Sequence, residues 1–352
     1  MTAQTAFSQV VEVTLSAEHM RSVADLPGAF VPKSVKGHKY WYYQYTEPAG
    51  VRRQIFVGPD SDAVQSLMTK ATEHAAGASL GPLVRSAAVL GCAEIFPRHF
   101  RVLRRLAEYG FFKAGGVLVG THAFVAYGNM LGVRWDAAGA ARTQDIDFAH
   151  AGKRISLLLA ANSQVQTHEA IESLAMGFLP IAGLSGKTGG AYLIPSEKDF
   201  RLDFLSTVGR SGNEPYEHPD LHITLQPLRF MEYSLENVQQ TALLSGASAT
   251  MVNVPHPARY ALHKLIVYGE REGAFRSKSN KDLVQAGLLL AALQESRPWE
   301  VDEAWVDLLA RGDGWVRRAQ YGLAALCQQF PEEKFGDWLK IGKKKASTTT
   351  GS

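Results

Sequence analysis

Asp145 and Asp147, two positions apart in Thr143-Gln144-Asp145-Ile146-Asp147-Phe148, are the residues whose spacing points most directly to chemistry. On a strand, alternate residues face the same side, so both carboxylates would share a face opposite Ile146 and Phe148. Like charges side by side repel unless something positive lies between them. A hard divalent cation, Mg²⁺ or Mn²⁺, meets that demand with carboxylate, phosphate and water oxygens; a solvated strand edge or an Asx turn is the plain alternative. A third acid, Asp203, alternates with apolar residues in Phe200-Arg201-Leu202-Asp203-Phe204-Leu205. Once buried, it must meet a cation, a donor or solvent, and Arg201 is a ready salt-bridge partner. Ahead of the acids, Gly120-Thr121 joins an apolar run to a helical pattern. There backbone N–H groups and a hydroxyl can approach phosphate oxygens at a helix N-terminus, although the same pair also makes an ordinary strand exit and N-cap.

A second set lies in Pro257 to Leu283. Lys264 sits in a helical pattern that is apolar on most sides, so its ammonium either snorkels or meets an anion. Arg271 falls on nearly the same face, and Asp282 stands at a helix start, where a helix-dipole role is the alternative. The histidines lack His-Glu-x-x-His spacing, and no Gly-x-Ser-x-Gly elbow or Walker phosphate loop occurs. Ser185-Gly186-Lys187-Thr188 lacks the upstream glycine and runs into Gly189-Gly190 and a strand, so it reads as a hairpin or loop.

The acids need a sheet to hold them. The sequence predicts strands at Gly116–Val119, Gln144–Ala149, Ala191–Pro195 and Arg201–Ser206, with helices at Thr121–Met130 and Glu169–Met176 between them. Arg154–Ala161 separates two of these elements, and Leu131–Arg142 reads as a Gly- and Ala-rich loop. Upstream, Lys36–Gly58 reads as a β-hairpin turning at Pro48-Ala49-Gly50, followed by helices at Asp60–Gly77 and Arg98–Tyr109. The hairpin mixes Trp41, Tyr43 and Tyr45 with Lys33, Lys36, Lys39, Arg52 and Arg53. That mixture suits stacking on bases and holding phosphates, while packing of one aromatic face on helices is the alternative. From Pro255 the pattern is helical: Pro257–Glu270, Asn280–Gln294, Glu303–Leu309 and Gly314–Gln329.

The expected fold is therefore α+β, with a small mixed sheet between an N-terminal hairpin and helix unit and a helical C-terminal domain. The expected divisions are 1–110, 111–225 and 226–340, with a disordered tail over 341–352. The 352 residues, 46% hydrophobic and 20% charged, are those of a globular chain with more than one domain. A formal charge of +3 announces no whole-molecule affinity for nucleic acid. Cys92 and Cys327 lie far apart, against a cysteine-rich metal site or a disulfide scaffold, and no apolar run is long enough to span a bilayer. A cytoplasmic protein with no membrane contact is expected.

A glycine-hydroxyl turn, an Asp-x-Asp strand and a later acid, in that order, resemble the nucleotidyltransferase superfamily built on the DNA polymerase β-like catalytic fold. Val117-Leu118-Val119-Gly120-Thr121-His122-Ala123 with Thr143 to Phe148 looks like a bacterial branch of it. Thr121 stands where Ser is commoner, and the stretch between turn and acids is longer than the pattern. Lys264 and Asp282 resemble the helical half of toxin nucleotidyltransferases of the AbiEii and MenT kind. The resemblance implies an enzyme moving a nucleoside monophosphate from an NTP, such as ATP, to an acceptor. Asp145, Asp147 and Asp203 would hold two Mg²⁺ or Mn²⁺ ions, and Gly120, Thr121, Lys264, Arg271 and Asp282 would bind the nucleotide. A toxin-like enzyme would act on a tRNA 3′ end or a protein and have an antitoxin partner. An antibiotic-modifying enzyme and a silent nucleotide-binding module are the other readings.

Overall fold

The computed structural model describes residues 1–19, 28–35, 37–46, 52–73, 77–135, 143–150, 165–182, 188–208, 212, 214–270 and 276–340. Lys36, the Pro48-Ala49-Gly50 turn, most of the Leu131–Arg142 insert, the Arg154–Ala161 segment, Arg271 and the 341–352 tail lie outside them. The chain divides into two compact units. One comprises Met1–Arg134, Arg142–Leu228 and Val238–Val254; the other comprises Trp135–Ala141, Arg229–Asn237 and Pro255–Ser352.

The first unit opens with α1 (Ala3–His19), then β1 (Gly28–Val35), β2 (His38–Thr46) and β3 (Arg52–Pro59) in an antiparallel sheet. The expected hairpin is β2 and β3, and β1 is an added strand that Pro32 disguises in the sequence. Helices α2 (Asp62–Glu73), α3 (Gly77–Val89) and α4 (Pro97–Glu108) follow. Pro97 at the first turn of α4 suits its fixed φ, and Val102, Leu103 and Leu106 bury one face.

Strand β4 (Gly116–Val119) leads into α5 (Gly120–Leu131), and then come β5 (Ile146–His150), α6 (Thr167–Glu172), β6 (Leu179–Ala182), β7 (Thr188–Ile194) and β8 (Glu197–Thr207). Next are β9 (Tyr216–His218) and β10 (Ile223–Leu228). These strands form one mixed sheet in the order β4-β5-β8-β10-β9, with β7 against the first half of β8 and β6 against β7. β5 runs parallel to β8, whereas β4 is antiparallel to β5. The fold is thus α+β, as expected. β6 and β7 pair antiparallel, and Ser185, Gly186 and Lys187 between them lie outside the described residues.

One face of the sheet is an aromatic core. Phe148 and Phe204 stack with centroids 5.0 Å apart, and Phe111 meets both edge-on at 5.4 and 5.9 Å. Hairpin β11 (Val238–Ser245) and β12 (Ser248–Pro255) closes the unit, and its Ala242, Leu244 and Met251 share a core cluster with Phe7 and Val10 of α1 and Val84 of α3.

The second unit is helical: α7 (Met231–Leu235), α8 (Pro257–Glu270), α9 (Arg276–Ser296), α10 (Pro298–Ala310), α11 (Asp313–Gln329) and α12 (Phe335–Trp338). α8 packs against α9, α10 and α11, which accounts for its burial on most sides. No helix among the described residues is long and apolar enough to cross a membrane.

Candidate active site

Strand register decides which acids meet. Val119 of β4 pairs with Asp147 of β5, Asp147 pairs with Asp203 of β8, and Asp203 pairs with Ala191 of β7. Residues aligned across a sheet share a face, so both half-buried carboxylates stand together on the face opposite Phe148 and Phe204. The alternation that drives Phe200, Leu202 and Phe204 into the core therefore turns Asp203 the other way.

The chain leaves β4 at Val119, the end of that same row, and enters α5 directly. Gly120 takes φ +65°, a left-handed conformation that glycine adopts without the Cβ penalty. A Cβ there would also collide with Asp147 Oδ2 and lie 3.1 Å from its Cγ. The first turn of α5 is thus pressed against the Asp147 carboxylate, and no side chain caps the helix at Val119. The positive end of a helix dipole favours an anion at that place. Thr121 is buried beside it.

Asp145 is placed differently from the expectation. β5 begins at Ile146, so Asp145 lies on the segment entering the strand, with its carbonyl accepting from the Thr143 hydroxyl at 3.4 Å. Shared strand alternation therefore cannot align it with Asp147. The salt-bridge alternative for Asp203 is realised: Arg201 Nε donates to its Oδ1 at 2.6 Å, with Arg201 itself exposed.

Do these residues suit a divalent ion? Among the described residues, no group of three or more His, Cys, Asp or Glu side chains is gathered to hold one. A closed protein cage is not what Mg²⁺ requires. It commonly takes one or two carboxylates and completes its shell with substrate phosphates and water. Asp147 and Asp203, in one row beside a helix N-terminus, fit that donor chemistry, with Asp145 two residues from the row.

Two supports behind the site escaped the sequence reading. Buried Asn253 of β12 donates from Nδ2 to the carbonyls of Phe112 at 2.6 Å and Gly116 at 2.8 Å, fixing the entry to β4. The available signal was one amide in the apolar run Met251-Val252-Asn253-Val254. His122, next to Thr121, shares a hydrogen bond with His99 of α4, with Nε2 and Nδ1 3.0 Å apart. Burial, with the Arg98 charge beside it, holds His99 below the usual histidine range. The pair ties the start of α5 to α4.

In the second unit, Lys264 meets its anion within the fold. Its Nζ lies 2.5 Å from Asp282 Oδ1 and 4.8 Å from the centroid of the Tyr260 ring, and both charged side chains are largely buried. Snorkelling is thereby excluded, and because α9 begins at Arg276, Asp282 lies past its first turn and not at a helix start. Arg271, the remaining nucleotide-site candidate, lies outside the described residues.

A family profile described as nucleotidyltransferase matches residues 98–310, more than half of the chain. Among solved structures, the chain is similar to an antigenic nucleotidyltransferase-like protein from Paracoccidioides brasiliensis. The two are 13% identical over 68% of this chain and 91% of that one, with a TM-score of 0.30. No curated protein matches the sequence.

Proposed function

The chain belongs to the nucleotidyltransferase family, and from that premise we propose that Asp145, Asp147 and Asp203 form the metal-binding catalytic set of a nucleotidyl transfer. The observation that carries the reading is the row Val119, Asp147, Asp203, with Gly120 closed against Asp147. An acceptor oxygen attacks the α-phosphorus of an NTP. The new P–O bond forms as the bond to the bridging oxygen breaks, and pyrophosphate departs with that electron pair. The acceptor's proton passes to Asp203 or to solvent.

Asp147 and Asp203 would hold Mg²⁺ or Mn²⁺, with Asp145 sharing in a two-ion site. When bound, such ions offset phosphate charge and lower the pKa of the attacking hydroxyl. Gly120 and Thr121 would offer the helix N-terminus to phosphate oxygens. Arg201 balances Asp203 until substrate arrives.

The acceptor we read as RNA, most simply a tRNA 3′ end, with an antitoxin partner, as the resemblance to toxin enzymes of the AbiEii and MenT kind implies. The support is Lys264 and Asp282, the two residues of that resemblance, which meet in a buried ion pair.

The test incubates wild type and Asp147→Asn with Mg²⁺, each α-labelled NTP in turn and total RNA. Label should reach RNA with wild type only, and Mg²⁺ with NTP should raise the wild-type melting temperature alone. Label confined to protein or to an aminoglycoside would keep the chemistry and replace the acceptor. Absence of label from every NTP, or full activity in the variant, would leave a silent nucleotide-binding module.

A further inference from the structure

We infer that one face of the β1–β3 sheet is a docking surface for single-stranded RNA; the inference rests on the acceptor reading above for the identity of the polymer. Residues 28–59 carry Lys33, Lys36, Lys39, Arg52 and Arg53 against the single acid Glu47. That surplus of four positive charges exceeds the formal +3 of the whole chain, so the remainder is slightly acidic. Positive charge is concentrated in this stretch of sequence, with Lys39 held on the Trp41 side by Asp60 at 3.3 Å.

The register sorts its aromatic residues onto two faces. Phe30, Trp41 and Tyr43 share one side with Ile55, where Tyr43 is buried against the Phe30 ring at 4.9 Å and the Trp41 indole donates to Asp60 at 2.8 Å. Those rings are committed to the fold. On the other side, Val31 and Lys33 of β1, Tyr40 and Tyr42 of β2 and Phe56 of β3 stand together. Phe56 lies 6.0 Å from Tyr40 and 5.4 Å from Tyr42, yet 55% of it is exposed. Lys33 lies over the Tyr42 ring at 4.7 Å and donates to Gln54, which keeps its ammonium on that face.

An exposed aromatic cluster with a fixed cation among strands is how sheets bind unpaired bases, with rings stacking and basic side chains meeting phosphates. A duplex hides its base faces and would leave Phe56 without a partner. A basic patch alone would suit any polyanion; the rings select one with unstacked bases.

The experiment uses the full chain, no NTP, and a fluorescein-labelled single-stranded RNA of about ten nucleotides, a length within one binding site. Anisotropy should report binding that weakens with salt, each phosphate contact contributing about −0.7 to the log–log slope. Lys33→Gln should reduce that slope by about 0.7. Phe56→Ala should weaken binding roughly 5- to 100-fold with the slope and melting temperature unchanged. Tyr321→Ala, an exposed aromatic of the second unit, should bind as wild type. Wild-type affinity in both sheet variants, equal affinity for duplex RNA, or binding to phosphatidylserine vesicles without binding to RNA would each overturn the inference. Loss of RNA binding with the NTP-dependent rise in melting temperature intact overturns the docking face alone. RNA binding without any NTP response overturns the transfer chemistry alone.

Discussion

Gly120→Ala isolates the contact on which the site depends. Alanine must adopt φ +65° there, which costs an L-residue about 1 kcal/mol. Its Cβ must also displace Asp147 Oδ2 or push the first turn of α5 away, because the Asp147 Cγ would lie only 3.1 Å off. Together these should destabilise the protein by about 2 kcal/mol, a few degrees in melting temperature. The loss of activity should be far larger than that implies. A shift of about 1 Å among reacting groups costs on the order of 100-fold in rate. Gly132→Ala is the control, because Gly132 ends the same helix at φ +71° and its added Cβ would lie 3.1 Å from Gln4 Cβ, away from the acids. Both variants should melt a few degrees low in a thermal scan, and only Gly120→Ala should lose transfer of α-label from NTP. A Gly120→Ala enzyme at the wild-type rate, or equal loss in the two variants, would refute the reasoning.

Lys264→Met alone should cost about 3 kcal/mol in denaturant unfolding by stranding the Asp282 carboxylate, and Lys264→Met with Asp282→Leu should recover most of it. Nucleotide affinity that survives the double change would show the pair to be structural. Burial, with His150 beside it, pushes His218 down to about 4, so the unfolded state takes up its proton first as pH falls. Its contribution is complete above about pH 6.5 and lost between there and pH 4, making the protein about 2 kcal/mol less stable at pH 5 than at pH 7 from this group. His218→Asn, which keeps an acceptor for the Asp220 amide, should flatten that part of the profile, and an unchanged profile would exclude His218 as its source. Without metal, Asp147→Asn should change the melting temperature little, since the repulsion from Asp203 that it relieves is offset by losing a carboxylate at the positive end of α5. A lower melting temperature for that variant would mean that the fold depends on the Asp147 charge.

The strands that carry the acids were legible because their apolar residues alternate and glycines punctuate them. Gly116–Val119 and Pro257–Glu270 are recovered at both ends, and α11 starts one residue before the expected Gly314. β1 was missed because Pro32 argues against a strand. β11 and β12 were missed because burial on both faces leaves apolar runs such as Thr241 to Leu244 without a period to read. The approach of Gly120 to Asp147, and the meeting of Lys264 with Asp282, depend on how the intervening chain returns. No local pattern encodes that path. Asp145 was expected on a strand because Asp-x-Asp alternation looks the same whether the strand starts at the first acid or just after it.

Acids meet basic side chains in both units, and what sets the Asp147 row apart is that two acids are aligned in it. In the second unit, Glu236 and Asp307 are interleaved with Arg259 and Arg311, with Arg259 and Arg311 lying 4.8 and 4.9 Å from the Tyr233 ring centroid. Each acid there has arginine contacts. In the first unit, Asp147 and Asp203 are set side by side by the register, at a strand position where a neutral residue would fold with less repulsion. The neighbouring helix begins at the glycine that lets it press against Asp147, and Val119 at its N-cap offers no side-chain hydrogen bond. Each of these choices costs local stability, and they occur at a single row. Under the proposed function, local rules broken together at one place would mark a site kept for what it binds. Paired carboxylates facing a helix N-terminus offer oxygen ligands to a cation and backbone amides to an anion. A metal-complexed triphosphate presents both.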